Sequence, residues 1–249
     1  MTRTPRKLIC LLGLAGLGLS ACSGTTPTTT AGSNASSVRH TYVALGENGS
    51  DGSRTRFDLR TLWPQIFYQS TIATNGTFFD FTNPDDTVAE EIDQVLPDAL
   101  AVRPNLVTVW TSAANLAAAT PAPTYERELR QLVDAFRRRG ATVLLANVAP
   151  PALDAALGAC SGKLSDCQSS SNLSVSTLSA YDAAIAAVAQ ATGSRLVNLH
   201  GILTAAIHSE GLAGVLAPDQ SSLSSNGAAL VAHAFRAQLP KGFLRASRS

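Results

Sequence analysis

The sequence predicts a three-layer α/β/α sandwich built on a parallel sheet of about five strands. Three observations lead there. Runs such as Leu106–Trp110 (LVTVW) and Thr142–Val148 (TVLLANV) are almost wholly apolar, as strands covered on both faces must be. Stretches with an apolar residue every three or four positions separate them, as crossover helices would. Each run also ends in a loop rich in Gly, Ser, Asn or Pro, and in such sheets the ligand site sits at the strands' carboxyl ends.

Ahead of the body lies a leader. Thr2–Lys7 is basic, Leu8–Leu19 is apolar, and Leu19-Ser20-Ala21-Cys22 closes the stretch. The apolar run is too short to cross a bilayer, so residues 1–21 read as a signal peptide. The small residues ending in Cys22 are similar to a bacterial lipobox, which implies cleavage before Cys22 and lipidation of its thiol. A secretory signal cut nearby without lipid is the alternative. Lipidation would hold the protein at the membrane without spanning it, on the extracytoplasmic side of a bacterial cell envelope. Residues 22–39, rich in Ser, Thr and Gly, have no hydrophobic periodicity and read as a flexible tether. The folded body is then 40–249.

The chain carries 19 basic and 18 acidic residues; the leader's Arg3, Arg6 and Lys7 reduce the first figure to 16. A near-neutral body with no basic run excludes a nucleic-acid footprint. Of four cysteines, Cys10 leaves with the leader and Cys22 is the lipid acceptor. Cys160 and Cys167 are expected to form a disulfide, since the compartment permits one. With no histidine nearby they cannot fill a tetrahedral metal shell, and no metal or other cofactor is expected.

The body opens with a strand at 41–46. Leu59–Ser70 puts Leu59, Leu62, Ile66 and Phe67 on one helical face, with Pro64 suited to an early turn. Phe78–Phe81 reads as a strand and Thr87–Leu100 as a helix, with a stripe of Val88, Ile92, Val95, Leu96 and Leu100. Leu106–Trp110 is a strand followed by a small-residue loop, Thr111–Asn115. Tyr125–Arg139 is an amphipathic helix stopped by Gly140. After the strand 142–148 comes an irregular insert, 152–174, then a helix at Leu178–Ala191. A short strand at Arg195–Leu199 and a closing helix at Asn226–Leu239 complete the series.

The segment TYVALGENGSDG resembles the opening block of SGNH/GDSL hydrolases, whose first strand runs into Gly-Asp-Ser with the serine as nucleophile. The resemblance continues through FFDFTNPDDTVAEEIDQVLPDALAVRPNLVTVW, AYDAAIAAVA, RLVNLHGI and LAPDQSSLSSNGAALVAHAF, over roughly residues 41–238. It implies a flavodoxin-like sheet and, ancestrally, ester hydrolysis by a Ser-His-Asp arrangement. Gly-Asp-Ser falls on Gly46-Glu47-Asn48, and a carboxamide is no nucleophile. The glycine whose amide helps bind the oxyanion falls on Asp85, where a carboxylate would oppose developing negative charge. The block Gly-x-Asn-Asp falls on Ser112-Ala113-Ala114-Asn115, so Ala114 replaces the side-chain donor unless a one-residue slip brings in Asn115. The block Asp-x-x-His falls on Asp219-Gln220-Ser221-Ser222; Asp219 is retained, but Ser222 cannot serve as a base near neutral pH.

These positions, with Ser50 and Asp51 in the first loop, define the expected pocket: Asn48, Ser50, Asp51, Asp85, Ala114, Asn115, Asp219 and Ser222. The alternative catalytic pair is Ser50 with His208 as a displaced base. His40 is expected at the far end of the first strand, His200 as a strand cap and His233 in the last helix. Glu47, Asp51, Asp85, Asp86 and Asp219 gather on loops at one edge, as ligands of a hard cation or as ordinary turn and cap residues; no EF-hand spacing supports the cation. The sequence therefore reads as a catalytically degenerate, membrane-anchored binding or scaffold protein, with a glycan, ester or protein as its ligand. A divergent esterase with a relocated serine is the alternative.

Overall fold

The apolar runs pair side by side, all parallel, in the order β2-β1-β3-β4-β5. In this computed structural model the described residues are 39–47, 61–72, 76–156, 174–218 and 222–243; they fall within one compact unit, Ser36–Ser249. The strands are β1 (His40–Gly46), β2 (Gly76–Thr82), β3 (Leu106–Trp110), β4 (Thr142–Ala146) and β5 (Arg195–Val197). Register is set with Leu45 beside Phe81 on one flank and Val109 on the other. The predicted sandwich is the observed one.

Side chains alternate across the sheet, so each strand feeds two cores. On one face Val43, Leu45, Val107, Val109, Val143 and Leu145 pack under α5 (Ala122–Arg137) and α7 (Val175–Thr192). On the other, Tyr42, Ala44, Trp110 and Leu144 pack under α1 (Trp63–Thr71), α8 (Leu199–Glu210), the short α9 (Leu212–Val215) and α10 (Ser225–Ala237). Trp63 stacks on Phe235 with ring centroids 4.5 Å apart, joining α1 to α10.

Local chemistry explains most boundaries. Pro64 opens α1, where its missing N–H costs nothing. Gly140 and Gly193 end α5 and α7 in left-handed backbone. Ser174, Asn198 and Ser224 cap α7, α8 and α10.

One expectation is refined and two are corrected. The helix foreseen at Thr87–Leu100 runs unbroken from α2 (Val88–Glu90) through a π-helical turn (Glu91–Val95) into α3 (Leu96–Ala101). Pro97 cannot donate to the carbonyl four residues back, and the widened turn absorbs that loss. The small-residue loop after β3 is instead a helix, α4 (Ala113–Ala117). The strand foreseen at Arg195–Leu199 stops at Val197, because Asn198 caps α8, an element not anticipated at all. Among the described residues no helix is long and apolar enough to cross a membrane. Cys22, Cys160 and Cys167 lie outside the described residues, as do the leader and the tether up to residue 38.

Candidate functional site

The carboxyl ends of β1, β3 and β4 bring together the loops that the sequence marks. Gly46 ends β1 with φ +84°, and a Cβ there would sit 1.9 Å from the Trp110 carbonyl oxygen. Only glycine lets β1 and β3 approach this closely as the chain turns out of the sheet. The turn is locked on both sides: the Glu47 amide donates to Trp110 O at 2.6 Å, and Trp63 Nε1 donates to Glu47 O at 2.9 Å.

Glu47 then faces inward. It is 2 % exposed, and its Oε1 accepts from the Ser112 amide at 2.7 Å, the Ala113 amide at 2.9 Å and the Ser112 hydroxyl at 3.0 Å. Those amides are the unpaired N–H groups at the start of α4, so a side chain from β1 caps a helix after β3. Burial pushes the Glu47 carboxyl up to about 7, against the pull of the Ala113 and Ser112 donors.

Two further acids lie beside it. Glu91, first residue of the π-helical turn, and Asp154 on α6 (Pro151–Ala156) are both fully buried. Neither carboxyl makes a hydrogen bond among the described residues, although the Gly46 amide lies near Glu91 and the Ala149 amide near Asp154. Burial raises both well above the usual carboxylate range, and negative neighbours raise them further: Asp86 and Glu47 for Glu91, Glu47 and Asp182 for Asp154. Tyr125, whose hydroxyl donates to the Thr111 carbonyl, closes the group from α5, and its own ionisation is pushed up by the same burial. Neither Glu91 nor Asp154 stands out in the sequence as a site residue. For Glu91 a signal existed: it stands three residues after Val88 and four before Val95, on the apolar stripe. For Asp154 there is none.

The predicted pocket residues are only partly brought together. Asn115 is 1 % exposed; its Oδ1 accepts from the Val88 amide at 3.0 Å and its Nδ2 donates to Thr120 at 3.3 Å. That side chain ties α2 to α4. Asp85 is exposed, and its amide donates to Asn83 Oδ1 at 3.4 Å within a turn. Ala114 is half-buried in α4. Ser222 is 3 % exposed, in a bridged turn where its carbonyl accepts from the Ala217 amide at 2.9 Å. Beside that turn lies a mainly apolar cavity of about 430 Å³ lined by Leu212, Ala213, Leu216, Ala217 and Pro218. Asn48, Ser50, Asp51 and Asp219 lie outside the described residues.

The four histidines are all described. His40 begins β1 at the opposite end of the sheet and stacks on Phe243 with centroids 4.6 Å apart. His200 lies in the first turn of α8, His208 on its exposed last turn, and His233 on the exposed side of α10. None makes a ring hydrogen bond among the described residues. Glu47 turned inward and Asp85 turned outward do not converge, and no group of three potential metal ligands occurs among the described residues.

A five-stranded parallel sheet in the order β2-β1-β3-β4-β5, with its marked loops at the carboxyl edge, defines the class as a flavodoxin-like three-layer α/β/α sandwich. Its family follows from the profile of the GDSL-like Lipase/Acylhydrolase family, which matches residues 29–215: the chain belongs to that family. Among solved structures it is similar to TesA, at 16 % identity and a TM-score of 0.62 over 81 % of this chain and 99 % of that one. An acetyl xylan esterase, AlAXEase, matches at 12 % identity and 0.62 over 80 % and 100 %. A catalytic mutant of Axe2, an acetylxylan esterase from Geobacillus stearothermophilus, matches at 16 % and 0.61 over 81 % and 95 %. No protein of curated function matches. At these identities the neighbours establish the fold alone.

Proposed function

We propose that this chain is a lipid-anchored protein of the bacterial cell envelope whose GDSL-type domain binds a ligand and no longer hydrolyses esters. One observation carries the reading: the last block places Ser222 where the family has its histidine, and a serine hydroxyl cannot take the nucleophile's proton near neutral pH. Ala114 at the side-chain oxyanion position, and the Asp85 amide held in its turn at the other, add to this. A glycan is the first ligand to try, given the acetylxylan esterases among the structural neighbours; a protein segment is the next.

The competing reading, a divergent esterase using Ser50 with His208, draws on the family itself. Treating the protein with a serine-reactive fluorophosphonate and a short-chain ester separates the two. We expect no labelling and no turnover above the uncatalysed rate. Labelling that disappears in Ser50→Ala would establish the esterase instead.

The anchor has its own test. In its native host the protein should enter the detergent phase on Triton X-114 partitioning, and Cys22→Ala should move it to the aqueous phase. Unchanged partitioning of the variant would remove the lipid from this proposal.

A further inference from the structure

Every strand but β2 is entered through a basic residue. Arg39 precedes β1, Arg103 lies just before β3, Arg138 and Arg139 lead into β4, and Arg195 opens β5. The strands are parallel, so these residues share one end of the sheet, the amino edge opposite the Glu47 turn. Hydrogen bonds join the segments that carry them. Asn105 Nδ2 donates to the Arg39 carbonyl at 3.3 Å, and the Thr142 amide donates to the Asn105 carbonyl at 2.9 Å. Arg137 donates to the Ala141 carbonyl at 2.7 Å and to the Thr192 carbonyl at 3.0 Å. Lys241 joins them from the last described turn, whose Phe243 stacks on His40.

Arg39, Arg103, Arg138, Arg139, Arg195 and Lys241 are all exposed. Among the described residues only Arg138 of these meets an acid, Asp134 at 4.0 Å; Asp98 lies one turn inside the end of α3. The stretches that adjoin this end in sequence bring no acid: residues 22–38 and 73–75 are uncharged, and 244–249 hold Arg245 and Arg248. Glu47, Asp85, Asp86, Glu90 and Asp154 instead follow strand carboxyl ends, so a near-neutral body is electrically polar. Helix C-termini attract cations, which accounts for Arg138 and Arg139 after α5, but Arg39 follows no described helix and Arg195 lies within a strand.

We propose that this amino edge docks on an anionic lipid bilayer, so that the candidate site at the opposite edge faces away from the membrane. The layout of the chain favours a membrane over other polyanions, because residues 22–38 enter the body at Arg39, inside the basic patch. With Cys22 lipidated, a flexible stretch of that length spans roughly 20–25 Å, which keeps the patch within reach of the bilayer. This orienting role rests on the lipid anchor proposed above; the charge of the surface does not.

The chain from residue 22 onward with Cys22→Ala carries no lipid and contains the compact unit Ser36–Ser249 whole. Its co-sedimentation with phosphatidylglycerol-containing vesicles and with phosphatidylcholine vesicles would be measured at low and high salt. We expect binding to the anionic vesicles alone, abolished by high salt. Changing Arg103, Arg139 and Arg195 together to Gln should weaken that binding roughly 100-fold, at about fivefold for each charge, and changing them to Lys should preserve it. Arg127→Gln with Arg130→Gln, in the first half of α5, should leave it unchanged. Where the Gln variant fails to fold, the salt and lipid-charge comparisons on the unchanged patch decide. Equal binding to both kinds of vesicle, binding to neither, or retention on heparin without vesicle binding would overturn the proposal. So would an equal loss in the Arg127 and Arg130 variant. Detergent partitioning of Cys22→Ala bears on the anchor alone, so the two readings fail separately.

Discussion

Gly46→Ala should cost the fold about 2–5 kcal/mol, a large fraction of the stability of an ordinary domain. The left-handed backbone alone costs an L-residue roughly 1–2 kcal/mol. The greater cost is steric: the new methyl would meet the Trp110 carbonyl at 1.9 Å and the Thr111 side chain at 2.6 Å. Both belong to β3 and the loop it enters, so β1 and β3 would have to part, and the 2.6 Å bond from the Glu47 amide to Trp110 would break with them. Overpacking of this kind adds about 1–3 kcal/mol. Urea unfolding of the variant beside the wild type measures the sum. A loss below about 1 kcal/mol would show that the strand ends adjust freely and that glycine is not required at position 46.

Glu47 gives the second large effect, and its two substitutions should separate. Glu47→Ala leaves the Ser112 and Ala113 amides buried without an acceptor, at about 1–3 kcal/mol each. Relief of the buried acid offsets part of this, so a net loss of roughly 2–4 kcal/mol is expected near pH 5. Glu47→Gln keeps a carbonyl oxygen for those amides and cannot ionise. The wild-type carboxyl, raised to about 7 in the fold, favours the folded state below the ordinary carboxylate range and ceases to do so as pH climbs through 7. The difference amounts to about 3 kcal/mol between pH 4 and 9. Stability of Glu47→Gln should therefore fall less steeply with pH, and exceed the wild type's at pH 9. Parallel curves for the two proteins across that range would refute this account of Glu47.

The sheet was legible in the sequence because parallel strands bury both faces, and a run such as Leu106–Trp110 admits few other readings. What escaped was decided by contacts between distant segments. Ala113–Ala117 is a short, mostly alanine segment whose own N-cap makes no side-chain bond, and Glu47, just past the end of β1, caps it from a distant part of the chain. Leu199–Glu210 is apolar on several sides, so no clear stripe announced it. Pro97 stood in plain view inside a predicted helix, yet its effect, a widened turn and not an end, depends on the packing around it. The family resemblance located Asn115 and Asp85 but not their partners. Asn115 became a tie to Val88 and Asp85 a solvated turn residue, and neither pairing is encoded in local spacing.

His40, stacked on Phe243, joins the first residue of the first strand to the end of the described chain, at the pole of the sheet remote from the Glu47 turn. A seven-residue strand, roughly 20 Å long, separates the two poles. A tag or reporter domain joined at either end of the described body therefore attaches at the pole opposite the Glu47 turn. The domain can be immobilised by its ends on a solid support and still present that face to solution.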